Sequence, residues 1–305
     1  MYRLLFLVLL LTSCSKSMVV NKSFDQKKYK FPKRSENYVS LSRVQTGHNL
    51  SAESLVMDQG RNNINHYSIH QAFLIEKNNH RILIDTGMSK DGKAQLREIP
   101  QPFRSLLDYT EDGDVNSKYP RDLEAIFITH MHFDHVSAIK DLAENKKTKI
   151  FISNEEFESA MAEKPPFGYI PLQYDSKDLK WEKIKFTEKT YGPFPRYFDY
   201  LGDGTIIIVE LPGHTKGSIG ILVNTQETRV FLVGDAVWSI EEVISQKSKS
   251  KLASYLVDED KEQTLKTIKL LHNIWMANAD TRIVPAHDLK ASIFINSIDN
   301  AKEVH

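Results

Sequence analysis

Residues 129–139 read THMHFDHVSAI. Three histidines and one aspartate, His130, His132, Asp134 and His135, fall within six positions, directly after the apolar run Ala125–Ile128. Imidazole nitrogens and carboxylate oxygens are donors that zinc accepts, usually four in all, and a catalytic zinc leaves one position to water. On an extended segment His130 and His132 point the same way, because side chains repeat every second residue. Four donors on one short loop can begin two metal sites but cannot complete them.

The missing donors lie at the ends of three more apolar runs. His214 stands in LPGHTKGS, Asp235 in FLVGDAV and His287 in IVPAHD. Of the eleven histidines, His130, His132, His135, His214 and His287 each end an apolar run or begin the loop after it. His48, His66, His70, His80, His272 and His305 show no such placement. Any one of the five alone reads as a structural or surface histidine. Together with Asp134 and Asp235 they read as a two-metal centre.

Elements must bring these loops together. Residues 67–76 and 81–87 form two extended runs around an Asn-rich turn at Asn78 and Asn79, a hairpin signal. AIFIT (125–129) and KIFIS (149–153) are short buried strands, each followed by apolar residues at helical spacing: Val136, Ile139 and Leu142, then Phe157 and Met161. TIIIVEL (205–211), SIGILVN (218–224) and RVFLVGD (229–235) are strands in close succession. A helix from about Glu259 carries Leu265, Ile268, Leu271 and Trp275 on one face and leads into the strand TRIVPA (281–286). Hairpins outnumber βαβ units. The order fits an α+β fold in which two sheets pack face to face with helices outside.

The chain has 305 residues, 41% of them apolar, enough for one large domain or two modest ones. Forty basic residues balance forty acidic ones, which argues against a nucleic-acid partner. The one cysteine, Cys14, excludes an internal disulfide and leaves no thiolate for a buried metal. It follows Arg3 and the apolar run Leu4–Leu11, too short to span a bilayer as a helix. That start reads as a signal peptide, and Leu11-Thr12-Ser13-Cys14 resembles a bacterial lipobox, in which the cysteine is lipidated. The expectation is a signal peptide over residues 1–14, a polar, Lys-rich tether over 15–40 and a catalytic domain over 41–305, anchored by lipid in the cell envelope, at the outer membrane or a periplasm-facing membrane.

The set HxHxDH, GHTxG, GDA and a late HD, with Asp85 and Gly87 in ILIDTG, resembles the metallo-β-lactamase superfamily over residues 41–305. The resemblance implies a four-layer αββα sandwich with metals at one edge between the sheets. It implies that His130, His132 and His214 hold one zinc and that Asp134, His135 and His287 hold the other. Asp235 would bridge the two, and Asp85 would support a ligating histidine. Manganese or iron also suits such N/O donors. The di-zinc β-lactamases usually carry cysteine where this chain has Asp235, so antibiotic hydrolysis is not expected.

Two zincs roughly 3.5–4 Å apart share a hydroxide and polarise the oxygen of an ester-like bond. Asp134 and Asp235 are the catalytic carboxylates in that scheme, with Asp134 orienting or deprotonating the water. Among lactone, thioester, carboxyl ester and phosphodiester, the strings ILIDTGM, THMHFDH and PGHT are most similar to the N-acyl-homoserine lactonases. Those enzymes carry a tyrosine where this chain has Trp238, and a Gly pair where it has Ser137-Ala138. A glyoxalase II-like thioesterase or a phosphodiesterase is the enzymatic alternative, and a metal-stabilised binding module the non-enzymatic one. Residues 165–200 hold ten aromatics, which read equally as core filling or as a substrate wall. Phe167, Tyr169 and Tyr191, together with Trp238, are the candidates for that wall. The lysine run SQKSKSK (245–251) reads as a flap or, more simply, as solvated.

Overall fold

The computed structural model of the chain describes residues 24–101, 103–113, 118–120, 122–143 and 147–298. Cys14 and the apolar segment before it lie outside the described residues. Among the described residues no helix is long and apolar enough to cross a membrane.

Among the described residues thirteen strands make two sheets. The first contains β1 (Ser40–Ala52), β2 (Asn65–Lys77), β3 (His80–Ile84), β4 (Thr110–Glu111), β5 (Ala125–Phe127), β6 (Lys149–Ile152), β7 (Lys180–Lys183) and β13 (Asn296–Ser297). Its order is β13-β1-β2-β3-β5-β6-β7, with β4 paired to β1. The second contains β8 (Phe198–Asp199), β9 (Ile206–Glu210), β10 (Ile219–Asn224), β11 (Arg229–Leu232) and β12 (Thr281–Val284), in the order β12-β11-β10-β9-β8. The expected Asn turn joins β2 to β3 with Lys77 opposite His80. Asn78 there has φ +52°, a left-handed conformation that asparagine tolerates better than most residues.

Alternation along the strands builds the layers. Phe73, Ile75, Ile82, Ile84 and Phe127 of the first sheet meet Ile206, Ile208, Ile219, Ile221 and Leu232 of the second in one buried cluster. The opposite face of the first sheet, with Leu74, Leu83 and Ile126, packs on Val136 and Ile139 of the helical segment after β5. The opposite face of the second, with Ile207, Val209 and Phe231, packs on Ile268, Leu271 and Ile274 of the helix Lys261–Ala277. The result is helix, sheet, sheet, helix, the α+β sandwich that the strand order implied. Phe127 and Phe231 are both fully buried, and each contributes roughly 1.5–3 kcal/mol.

Two regions differ from expectation. β1 is a thirteen-residue strand, although its sequence shows little alternation. Residues 24–40, expected as part of a tether, lie against the domain. Phe31 is 5% exposed and stacks near Phe194 and Phe231. Its N–H donates to Asn278 Oδ1 at 2.8 Å. The Arg34 guanidinium donates to Asn224 Oδ1 and to the backbone carbonyl of Thr225. A segment with one large apolar residue at the right place can dock, whatever the charge of its neighbours.

Strand pairing delivers the metal-liking loops to one edge. β3 and β5 run parallel with Ile84 opposite Phe127, so Asp85 and the His130 loop leave side by side. β11 and β12 run parallel with Leu232 opposite Val284. Asp235 and His287 each follow three residues later. The turn from β9 to β10 brings His214 to that edge, and Ile219 N–H donates to the Thr129 carbonyl at 3.0 Å, stitching the two sheets there.

Candidate metal centre

All seven expected donors converge, none more than 7% exposed. His130, His132 and His214 form one group, His130, His135 and Asp235 a second, and His70, Asp134 and His287 a third, each with its donor atoms within 4.8 Å of one another. His70 is the donor that sequence reasoning missed. It lies inside β2 rather than at a strand end, within a nearly continuous buried run that gives it no distinguishing mark.

The first trio is a set of neutral imidazoles. His214 Nε2 lies 3.2 Å from His130 Nε2 and 2.9 Å from His132 Nδ1. Burial first, then the neighbouring histidines, push His130 well below its ordinary pKa and His132 down to about 3. His214 is also lowered, by burial and by Lys249, against the pull of Asp258. Asp258 Oδ1 accepts the His214 Nδ1–H at 2.9 Å, so Nε2 faces the centre as a lone pair. One cation among these three nitrogens satisfies them together, whereas one proton serves only a pair.

The acidic half is balanced the other way. Burial would raise Asp134, but His135, His70 and His287 hold it below the usual carboxylate range. Burial would likewise raise Asp235, and His287 and His135 lower it. His135 and His287 move up in turn: the carboxylates beside them outweigh burial. His135 Nε2 lies 3.2 Å from Asp235 Oδ1 and 4.0 Å from Asp134 Oδ1. His287 Nε2 lies 3.0 Å from Asp235 Oδ2 and 3.4 Å from Asp134 Oδ2. Two buried carboxylates thus demand positive charge at one place, which protons on the histidines or a divalent ion can supply. His135 Nε2 and Asp235 Oδ1 face each other at 3.2 Å without hydrogen-bond geometry, and neither has another hydrogen-bond partner among the described residues. Nitrogen and carboxylate donors with such free atoms fit a pair of divalent ions.

Supporting groups hold the donors in place. Asp85 Oδ2 accepts His135 Nδ1–H at 2.8 Å, and Asp85 Oδ1 accepts Thr129 N–H at 2.7 Å. Asp85 adopts φ +58°, a costly conformation that these bonds maintain. The Ile69 carbonyl accepts His287 Nδ1–H at 2.8 Å. Glu156, fully buried, accepts from Met131 N–H at 2.7 Å and from the Thr215 hydroxyl at 2.6 Å, tying together the loops that carry His132 and His214. Burial pushes Glu156 up to about 7 against these donors. Gly168 has φ +93°, and a Cβ there would sit 2.7 Å from the His132 ring; only glycine lets the chain pass so close.

A cleft of about 170 Å³ opens over the centre, with His70, His132, Asp134, Asp235 and His287 at its base. Its walls are mainly apolar, with Asn49, Ser51 and Ser68 as polar exceptions. Leu55 and Val56 come from the helix Glu53–Val56, Phe103 and Leu106 from the helix Phe103–Leu106, and Leu252 and Leu256 from the helix Lys251–Val257. Phe167 and Trp238 line it as expected. Phe167 packs edge-on against Phe103 at 5.4 Å. Trp238 Nε1–H donates to Asp235 Oδ2 at 2.7 Å.

Tyr169 and Tyr191 are not in that wall. The Tyr169 hydroxyl lies 2.7 Å from Glu156 Oε1 and its ring meets His132 edge-on at 5.3 Å, so it supports the loop instead. Tyr191 packs on Phe31 and Tyr197, in the cluster on the helix side of the second sheet. The remaining aromatics of the stretch divide among the cores: Tyr174 and Trp181 in one, Phe186, Phe198 and Tyr200 in another, Phe194 and Tyr197 in a third.

The profile of the metallo-beta-lactamase superfamily matches residues 68–278. The chain is 28% identical over 174 residues to an N-acyl homoserine lactonase, AttM, of Rhizobium radiobacter, covering 55% of this chain and 59% of that protein. It is 26% identical over 175 residues to a probable metallo-hydrolase, YflN, of Bacillus subtilis, covering 53% and 57%. The chain therefore spans less than two thirds of the length of these curated relatives. The fold is similar to that of an N-acyl homoserine lactone hydrolase solved with N-hexanoyl-L-homoserine at its catalytic metal center. The TM-score is 0.64 at 18% identity, over 86% of this chain and 98% of the other. It is also similar to AidC, a dizinc quorum-quenching lactonase, at TM-score 0.55 and 17% identity, over 85% and 90%. With the profile matched over more than half its length, and with the strand-end donors gathered at one sheet edge, this chain belongs to the metallo-beta-lactamase superfamily.

Proposed function

We propose that the protein is a di-metal hydrolase, with zinc as the leading metal, that opens lactones carrying an apolar acyl chain. One observation carries the reading: donors for two ions form the base of a cleft whose walls are leucine and phenylalanine. His130, His132 and His214 would hold one ion, Asp134, His135 and His287 the other, and Asp235 would reach both. Two such ions make a nucleophile of water at neutral pH and polarise a carbonyl.

The chain's own groups do the rest. Asp134 faces the cleft and, held ionised, accepts a hydrogen bond from the attacking water and so orients it. His70 Nδ1–H donates to Asp134 Oδ2 at 3.0 Å and fixes that carboxylate. Trp238 has committed its only side-chain donor to Asp235. It shapes the wall and steadies Asp235 rather than protonating a leaving group. The apolar walls exclude water and hold the acyl chain, contributing up to about 0.8 kcal/mol per buried CH₂.

The test is kcat/KM across homoserine lactones of rising acyl length, beside a thioester and a phosphodiester of matched size. Rising kcat/KM with chain length supports the reading, and preference for the thioester or the phosphodiester rejects the lactone while leaving the metal centre intact. We further propose that lipid on Cys14 holds the protein at a membrane of the cell envelope. Attached lipid mass and membrane fractionation, both lost in Cys14→Ser, are the expected result; a wild type without lipid mass rejects the anchor.

A further inference from the structure

The lysine run at 245–251 contains one side chain that leaves solvent altogether. Lys249 is 1% exposed. Its backbone is pinned on both sides. Met57 and Lys249 form an isolated antiparallel bridge. The next residue, Ser250, caps the helix Lys251–Val257 and donates its hydroxyl to the Leu55 carbonyl at 2.7 Å. Nζ therefore points inward. It donates to the Asp235 carbonyl at 2.8 Å and to Asp258 Oδ1 at 3.1 Å, and it sits 5.4 Å from the centre of the Trp238 ring.

Asp258 is the link to the metal centre. The same Oδ1 that accepts from Lys249 also accepts the His214 Nδ1–H. Without Lys249 the carboxylate would keep the His214 imidazole and the Ser254 side chain, neither of which ties Oδ1 to the backbone beside the donors. An ammonium anchored by the Asp235 carbonyl holds Oδ1 in one place, and with it the ring plane and tautomer of His214. A buried ammonium–carboxylate pair is weak support for stability, because apolar residues of similar volume often serve as well or better. The pair is therefore better explained by what it orients.

We propose that Lys249 is a positioning residue of the metal centre, acting through Asp258 to hold the His214 Nε2 lone pair toward the ion shared with His130 and His132. The proposal rests on the di-metal reading above. Partners of ligating histidines are worth about 10–100-fold in metal affinity, and Lys249 is one step further along the same chain.

The experiment uses the purified protein, its Lys249→Met, Lys249→Arg and Asp258→Asn variants and the double variant Lys249→Met/Asp258→Asn. Zinc content by elemental analysis, zinc affinity by chelator competition and the melting temperature of the metal-free protein are measured for each. Lys249→Met is expected to lose about tenfold in zinc affinity while remaining folded, with part of the loss restored in Lys249→Arg. In the double variant the loss should equal that of Asp258→Asn alone, since both act through one link, while the metal-free melting temperature recovers because no charge is left unpaired. That comparison stands even where Lys249→Met alone fails to fold. Unchanged affinity in Lys249→Met, or a tenfold further loss in the double variant over Asp258→Asn, overturns the proposal. A wild type that holds no zinc overturns the di-metal reading instead.

Discussion

The base of the cleft and its walls are built on opposite principles. At the base, every donor is almost fully buried, all but His70 follow a strand or begin the helix after it, and His135, His214 and His287 are each held by a second polar partner. The walls rest on the short helices Glu53–Val56, Phe103–Leu106 and Lys251–Val257. There Leu55, Leu106 and Leu252 are 46%, 52% and 52% exposed. Hydrogen bonds fix positions to tenths of an ångström, while leucines on short helices can shift with little penalty. The contrast separates chemistry from choice: changes at the base should affect all substrates equally, and changes in the wall should sort them.

Asp235→Ala gives the largest expected effect. It removes a carboxylate that His135, His287 and Trp238 all approach, so metal content and turnover should fall together, by more than the roughly 100-fold of an outer partner. Elemental analysis beside kcat/KM checks this; full metal content in the variant would remove Asp235 from the bridge. Asp85→Asn comes next. Asparagine tolerates the positive φ, and its Oδ1 can still accept from Thr129 N–H, but the NH₂ group in place of Oδ2 cannot accept from His135 Nδ1–H. Zinc affinity should drop about 10–100-fold, with turnover of every substrate reduced in the same proportion at limiting zinc.

Phe167→Ala tests the other side of the contrast. Selectivity for long over short acyl chains should fall by roughly tenfold, about 1.4 kcal/mol, just under the 1.5–3 kcal/mol of a fully buried phenylalanine because Phe167 is only partly buried, while zinc affinity stays at the wild-type value. Equal losses for short and long chains would show that base and wall are not separable. Tyr191→Ala should change turnover least of all, within twofold, and should instead destabilise the fold by about 1–3 kcal/mol, read as a lower melting temperature.

The sequence made the base legible and the wall obscure, for a physical reason. A metal donor at a strand end interrupts an apolar run, so His130, His214, Asp235 and His287 announce themselves. His70 interrupts nothing visible, because its neighbours Ile69 and Gln71 are equally buried. Lys249 sits in a run whose Ser245, Gln246 and Lys251 face water, and the bridge to Met57 together with the buried cap Ser250 turns it inward. The wall leucines belong to helices of four to seven residues, too short to show a period. The aromatic stretch was dense enough to mark apolar surroundings, but density does not say which sheet face each ring will meet, and Tyr191 went to the far one.

The pairing of β1 with β13 sets an order in time as well as in space. Ser42 and Arg43 lie beside Asn296 and Ser297, and Phe31 is held by Asn278, 247 residues away. At about 5–20 residues per second, synthesis of the intervening chain takes on the order of 12–50 s. Throughout that interval β1 lacks its last neighbour and Phe31 its docking helix. Contacts this distant in sequence slow the search for the native state, so closure of this edge is a late event. An edge strand whose partner lies 254 residues downstream stays open while the chain grows, and its exposure to aggregation is set by how quickly Asn296 follows Ser42.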